Sequence, residues 1–397
     1  MVSRAPSSGI TCLARRMYSH MASNPSTPIP VLFCYPKIAH LLLEDEKWNV
    51  GGAPCQMYAL AEALARDSQF AVSALVDEPP LVERIQNIQL VYKKPPVKRF
   101  LPFVGRFVNR SREKGFAAHA SGGVALFSVS TGKQILAQYG PMIHRVGGKV
   151  LYRIASDIDL LPELRYSHEN NAWTRGLQEA DCIIAQTEFQ RRIAQERYGL
   201  ESTVIPSAFV GTTYTSVKKD SILWVGQCYS YRRPWLVAQL AREFPDENFV
   251  MIMPKNDEAL ARVIEQEMEL LDNVQLIDYV PVDKIQQYFD RAKLFINTSV
   301  FEGFPNTLLQ SGAGHTPYIS LSWNPDGLLE SQGIGYGCQG SLDTMKTHMH
   351  DLLSNPVLSE AIGTRGSEYV REHHNLDKVV EMYKALIRRS VPIKPME

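Results

Sequence analysis

Short apolar runs alternate along this chain with stretches whose apolar residues recur every three or four positions. The runs Ile29 to Tyr35, Phe70 to Val76, Val124 to Ser128, Val150 to Ala155 and Ala180 to Thr187 have the length and bounding residues of buried strands. Between them, Met57, Leu60, Ala61 and Leu64 keep a helical period over Cys55 to Arg66, and helices are also predicted over Lys133 to His144 and around Gln190. After Ser202 to Pro206 the pattern crosses a polar stretch, Ser207 to Lys219, which reads as a hinge. Strands are then expected at Ile222 to Val225, Phe249 to Met253, Asn273 to Leu276 and Leu294 to Ile296. Helices are expected up to about Phe244, within Asp257 to Leu271, over Asp283 to Ala292, and from about Ser341 onward. Strands that alternate with helices imply parallel sheets, an α/β chain. A length of 397 residues makes two cores the default. The chain is therefore divided into an extension at 1–28, domains at 29–207 and 220–375, and a last helical stretch at 376–397.

Chemistry concentrates at Thr298 to Gln310. A buried strand leads into a loop containing Gly303 and Pro305, and a helix follows from Thr307 to about Ala313, ended by Gly314. Strand, loop, helix is the geometry that aims free backbone N–H groups and the positive end of a helix dipole at an anion. Glu302 at the loop entry and Gln310 on the helix flank that position. A carboxylate and an amide beside a phosphate-sized anion site suit a polyhydroxylated ligand that carries phosphate, which describes a nucleotide sugar. Two further loops have the same placement. Gly51-Gly52 precedes a helix, where backbone approaches a sugar or phosphate closely. Gly226, Arg232 and Arg233 follow the first strand of the second domain and offer cations for phosphate.

Glu302-Gly303-Phe304-Pro305-Asn306-Thr307-Leu308-Leu309-Gln310, followed by Gly314-His315-Thr316-Pro317-Tyr318-Ile319-Ser320, resembles the donor-binding signature of retaining glycosyltransferases of family 4, among the group 1 glycosyl transferases. The resemblance extends across most of the chain. It implies the GT-B fold: two Rossmann-like domains facing an interdomain cleft, an acceptor domain at 29–207 and a donor domain at 220–375, with the helix at 376–397 crossing back onto the first. It implies transfer of a sugar from a UDP- or GDP-sugar to a glycan or glycolipid acceptor, with retention, and with no metal or cofactor beyond that substrate. Glu302, Arg232 and Asp157 are the implied catalytic residues. Gly51, Gly52, Gly226, Arg233, Gly303, Phe304, Pro305, Asn306, Thr307 and Gln310 are the implied donor contacts. Asp278-Tyr279-Val280-Pro281 resembles the family loop that abuts the base.

Three positions depart from the family pattern. Gln227 stands where relatives carry Arg, Gln310 where they carry a second Glu, and Ser156-Asp157 where a strand often ends in His, with His144 and His168 as candidate substitutes. Each departure removes charge or proton-handling capacity. A GT-B protein that binds nucleotide sugar as a non-catalytic partner of another enzyme is therefore the alternative reading.

Lys plus Arg and Asp plus Glu balance at 42 each, which argues against a general nucleic-acid binder. The six cysteines are scattered without a CxxC pair, as expected of reduced thiols in a cytoplasmic setting. Asp157-Ile158-Asp159 invites a metal reading, but nothing nearby completes a shell. Residues 93–114 interleave eight cations, among them Lys98, Arg99 and Arg106, with Phe100, Phe103 and Phe107. That composition suits either peripheral contact with an anionic membrane or a helix that buries its apolar face. The acid-free stretch 1–28, with Arg4, Arg15 and Arg16, reads as a disordered extension, with an organellar transit peptide as the alternative.

Overall fold

The computed structural model describes residues 27–35, 38, 41, 52–92, 115–128, 133–161, 176–212 and 214–391. Among them, the first group of apolar runs assembles into one eight-stranded sheet. Its strands are β1 (Ile29–Phe33), β2 (Phe70–Val76), β3 (Arg84–Ile85), β4 (Ile88–Tyr92), β5 (Val124–Phe127), β6 (Lys149–Arg153), β7 (Cys182–Ala185) and β8 (Ser202–Val204). They lie in the order β3-β4-β2-β1-β5-β6-β7-β8. All neighbours are parallel except β3 and β4. Val31 pairs with Val72 on one side and Val124 on the other, so β1 is central. Its side chains alternate between two cores, as the pleat requires. Val31 and Phe33 meet Met57, Leu60 and Leu64 of helix α1 (Gly52–Ala65), while Leu32 faces the cluster that holds Leu136, Tyr139 and Ile143 of α2 (Lys133–Arg145). A third helix, α3 (Glu188–Tyr198), follows β7.

The second sheet contains β9 (Ser221–Val225), β10 (Phe249–Ile252), β11 (Val274–Ile277), β12 (Ala292–Asn297), β13 (Tyr318–Ser320) and β14 (Gly335–Gly337). Their order is β11-β10-β9-β12-β13-β14, parallel throughout. Chain order reverses between β9 and β12, so a crevice opens at their carboxyl ends. The connecting helices are α4 (Leu236–Glu243), α5 (Glu258–Met268), α6 (Gln286–Arg291), α7 (Asn306–Ala313), α8 (Leu328–Ser331), α9 (Leu342–Ser354) and α10 (Pro356–His373).

The last described helix, α11 (Leu376–Ser390), leaves the second domain and packs on the first. Its Val379, Val380, Tyr383, Leu386 and Ile387 share a buried cluster with Phe33, Met57 and Leu60. At the rim, Lys384 Nζ pairs with Asp67 at 2.8 Å and Arg388 donates to Gln69 Oε1 at 2.7 Å.

Several boundaries differ from the expected ones for local reasons. The strand expected to run to Thr187 stops at Ala185, because the Thr187 side chain caps α3 and the Gln186 amide donates to Gln190 Oε1. The strand expected to reach Ala155 stops at Arg153, because the Ala155 amide turns to Asp159 Oδ2. Helix α1 starts at Gly52, three residues before the expected Cys55, so Gly52 belongs to its first turn and not to a loop before it. Ala292, expected to close a helix, opens β12.

The polar link between the domains is clamped, not loose. Gln56 donates to the carbonyl of Ala208 at 2.6 Å and accepts from the Ala208 amide at 2.8 Å. His374, just before α11, donates from Nδ1 to the Ser207 carbonyl at 2.6 Å, while its own carbonyl accepts from the Phe209 amide at 2.8 Å. Burial pushes the His374 imidazole down to about 4, which keeps it neutral in that role.

Candidate functional site

The crevice between β9 and β12 is built by two short segments that hold each other. After β12, Asn297 accepts the Ser299 amide on its side-chain oxygen at 2.8 Å and turns the chain toward the first domain. Thr298 Oγ1 donates to the Arg232 carbonyl and accepts from Trp224 Nε1 at 2.9 Å. The segment after β9 returns the contact, since the Val300 amide donates to the Tyr231 carbonyl at 2.8 Å. Gly226 stands at the root of the first segment. A Cβ there would lie 3.0 Å from Arg232 Cδ and 2.8 Å from the Trp224 ring, so only glycine lets the Arg232 stem pass.

Arg232 and Glu302 meet at the centre. Arg232 Nη1 donates to Glu302 Oε1 at 2.6 Å, with the Glu302 side chain 9% exposed and that of Arg232 21%. Burial alone would lower the Arg232 pKa, but the Glu302 carboxylate beside it outweighs this and holds it above the ordinary value. Arg232 Nε is buried without an acceptor among the described residues. Arg233 is placed differently. Its Nε donates to the Thr298 carbonyl at 2.6 Å and its Nη2 to Ser322 Oγ at 2.6 Å, so its guanidinium braces the loop from within. Its backbone is left-handed, at φ 50°.

The loop then touches the first domain. Gly303 lies against β6's extension so closely that a Cβ would sit 2.1 Å from the Ala155 carbonyl oxygen. The Asp157 amide donates to the Glu302 carbonyl at 2.8 Å. Asp157 opens a 3-10 turn, Asp157–Asp159, and its Oδ1 accepts from Gln190 Nε2 at 2.9 Å. Burial raises its carboxyl to about 8, the Gln190 amide opposes the rise, and the nearby Glu302 charge adds to it. Asp159 has a separate task. Its Oδ2 accepts from the amides of Ala155 and Ser156, at 3.0 and 3.1 Å, and from Tyr152 Oη at 3.3 Å. The Asp-x-Asp pair is thus a cleft group and a turn cap. Among the described residues there is no cluster of three or more His, Cys, Asp or Glu that could hold a metal ion.

Pro305 leads into α7 and offers no capping side chain to its first turn. Asn306 reaches across the cleft: its Nδ2 donates to the Gly52 carbonyl at 3.2 Å and its Oδ1 accepts from Gln56 Nε2 at 3.1 Å. Phe304 turns its ring inward, 4.8 Å from His374 and 5.8 Å from Trp323, so only its backbone faces the cleft. Thr307 stands in the first turn of α7, half-buried. Gln310 is half-buried on α7, and its carbonyl accepts from Gln286 Nε2 at 3.0 Å. Gly51, His168 and the basic segment 93–114 lie outside the described residues.

His144 is not a substitute for the missing histidine. It pairs with Asp181 at 2.8 Å beside Lys149, at the amino-terminal edge of β6 and β7, whereas the cleft lies beyond their carboxyl ends. Sequence reasoning missed the buried polar set behind the cleft. Arg153, 2% exposed, donates to Gln186 Oε1 at 2.7 Å and Ser207 Oγ at 2.8 Å, and Gln186 Nε2 donates to the Ile154 carbonyl at 2.7 Å. A cation inside an otherwise apolar strand was the available signal.

Residues 219–355 match the family model described as glycosyl transferases group 1. A glycosyltransferase 1 domain-containing protein of Xenopus tropicalis is 21% identical over 146 residues, 36% of this chain and 41% of that protein's length. Sucrose-phosphate synthase from Thermosynechococcus elongatus superposes with a TM-score of 0.72 at 16% identity, covering 91% of this chain and 98% of that one. A UDP-forming trehalose-phosphate synthase from Burkholderia xenovorans gives 0.63 at 11% identity, covering 91% and 99%. The two domains have the GT-B fold. Among the described residues, no helix is long and apolar enough to cross a membrane.

Proposed function

We infer that this chain, whose residues 219–355 match the glycosyl transferases group 1, moves a sugar from a nucleoside-diphosphate sugar to an acceptor hydroxyl. The observation that carries this reading is the Arg232–Glu302 pair, at the point where the second sheet reverses its order and beside the uncapped start of α7. An anion at that point meets the partly exposed Arg232 guanidinium and the first-turn amides of α7 together. A diphosphate is the anion such a cradle fits.

Transfer breaks the bond between the anomeric carbon and the diphosphate oxygen, and the electron pair leaves with the diphosphate. The acceptor oxygen forms the new bond to that carbon, and the acceptor proton passes to the departing phosphate oxygen. Negative charge grows on the leaving group and positive charge on the sugar. Arg232 and the α7 dipole stabilise the first, and Glu302 the second or the sugar hydroxyls. Charge neutralisation by arginine and helix makes the reaction independent of added metal. Departure and attack on the same face would retain the anomeric configuration and align the chain with family 4. A hexosyl donor and a lipid-linked or polysaccharide acceptor complete the reading. Residues 93–114 would hold the enzyme against anionic lipid, and flotation with anionic liposomes should fail once Lys98, Arg99 and Arg106 are neutralised.

Thermal-shift screening against UDP-, GDP- and ADP-sugars, followed by assay of released nucleoside diphosphate with and without chelator, tests the core of the proposal. One donor should stabilise the protein and release its nucleotide in chelator. Absence of stabilisation by every donor would overturn the site. Stabilisation without release, acceptors included, would overturn the catalytic reading in favour of a binder.

A further inference from the structure

Three aromatic rings stand in a stack beside the Arg232–Glu302 pair. Phe301 and Tyr231 have centroids 4.6 Å apart with planes 12° from parallel. Tyr231 and Tyr229 follow at 5.8 Å and 14°. Inner and outer ends differ sharply: Phe301 is 8% exposed, whereas Tyr229 is 37% exposed. Val300, 38% exposed, lies on the same paired loops. With one face of Tyr229 covered by Tyr231, its open area lies on the outer face and edge.

A stack made from two loops is held in place for a reason. The Val300 amide fixes Tyr231 through its carbonyl, and the Arg232 guanidinium sits 5.3 Å from the Tyr231 ring centroid. The rings are therefore rigidly referenced to the charged pair that handles the donor. An exposed aromatic face with this support is not needed for the core, whose clusters do not include Tyr229. Flat, apolar and edged by its own hydroxyl, it matches the C–H face of a pyranose, which is apolar on one side and hydroxylated around its edge.

We propose that Tyr229 is the open end of a stacking platform on which a pyranose ring of the acceptor glycan lies. The proposal builds on the transfer reading above and adds the surface on which a sugar ring of the acceptor lies. The platform orients the acceptor beside the pair that activates the donor, and the buried rings beneath it limit its movement.

Saturation-transfer NMR on the full chain, with methyl α- and β-pyranosides of glucose, galactose, mannose and N-acetylglucosamine as probes, tests it. At least one pyranoside should bind and take up saturation through its ring C–H protons. Tyr229→Ala should weaken that binding by about fivefold or more, and Tyr229→Phe should preserve it, because the ring face matters more than the hydroxyl. Binding of no pyranoside, or equal binding by Tyr229→Ala, would overturn the platform. So would a Tyr229→Ala protein that loses UDP or GDP while keeping the pyranoside, since the ring would then serve a base. Failure of the transfer reading would show separately, as wild-type protein that no UDP-, GDP- or ADP-sugar stabilises.

Discussion

The backbone amide of Asp157, on the first domain, donates a 2.8 Å hydrogen bond to the carbonyl of Glu302 on the second. The residue expected to handle the sugar is thus positioned by both domains. Its carboxylate is set by Arg232 and its backbone by the turn after β6.

Glu302→Gln keeps the shape of the side chain and removes its charge. Turnover should fall by about 10²-fold or more, while donor-induced thermal stabilisation persists. Steady-state assay of nucleotide release checks this, and an unchanged rate would remove Glu302 from the site. Arg232→Lys should cost about tenfold or more, because a lysine keeps the charge but lacks the fork that spans Glu302 and a phosphate.

Gly303→Ala tests the contact between the domains. The added methyl would meet the Ala155 carbonyl at 2.1 Å, and that oxygen belongs to backbone that cannot step aside. Neither domain core is disturbed, so the protein should fold and melt as the wild type does. The cleft should open, seen as a larger radius of gyration in solution scattering. Activity should drop by about 10²-fold, since a misplacement of about 1 Å has that effect on a reacting geometry. Wild-type activity in this variant would show that the contact plays no part in turnover.

The Asp157 carboxyl, raised to about 8, makes stability fall as pH rises. A carboxyl with a higher pKa folded than unfolded holds its proton more tightly in the folded state. Its stabilising contribution is complete below the unfolded value near 4 and disappears as pH passes about 8. His374, lowered to about 4, acts in the opposite sense and only below its ordinary 6.5, and the lowered His119 and His315 act in the same range. Lys219, lowered to about 8 by burial, acts only above that value. Among the described residues, the interval from about 6.5 to 8 therefore isolates Asp157. Across it the melting temperature of the wild type should decline and that of Asp157→Asn should not; parallel slopes would refute the assignment.

Gln56→Ala removes both hydrogen bonds to Ala208 and the one to Asn306. The Ala208 groups are buried, so their loss should cost about 1–3 kcal/mol. Urea titration should show a lower midpoint with an unchanged slope. An unaltered midpoint would mean that the clamp adds nothing to the hinge.

Periodicity and loop chemistry made much of this molecule legible. The central strands, α1's buried face and the strand-loop-helix around Glu302 all follow from neighbours in sequence, whose spacing records burial directly. The Gln56 clamp left no such trace, because Ala208 lies 152 positions away and no spacing rule joins them. Asn306 and Gly52 are 254 positions apart. Arg232 and Arg233 show the same limit at short range. They are adjacent cations in sequence, yet the left-handed backbone of Arg233 turns its guanidinium into the loop while Arg232 keeps to Glu302. Side-chain direction at an irregular turn depends on φ, which composition does not disclose. Asp157 and Asp159 likewise look equivalent in sequence, and only the 3-10 turn makes one a cap and the other a cleft group.

Helix α11 completes the first domain with residues that follow the entire second domain in the chain. During synthesis β1, β2 and α1 emerge early, but the apolar surface that Val379, Tyr383, Leu386 and Ile387 will cover stays bare until those residues arrive. Domains usually fold as units in order of emergence, and exposed apolar surface in the interval invites aggregation. This first domain cannot finish that way. Its maturation waits on the second: all eight strands have emerged by Val204, yet the apolar face that α11 covers stays open until synthesis is nearly over.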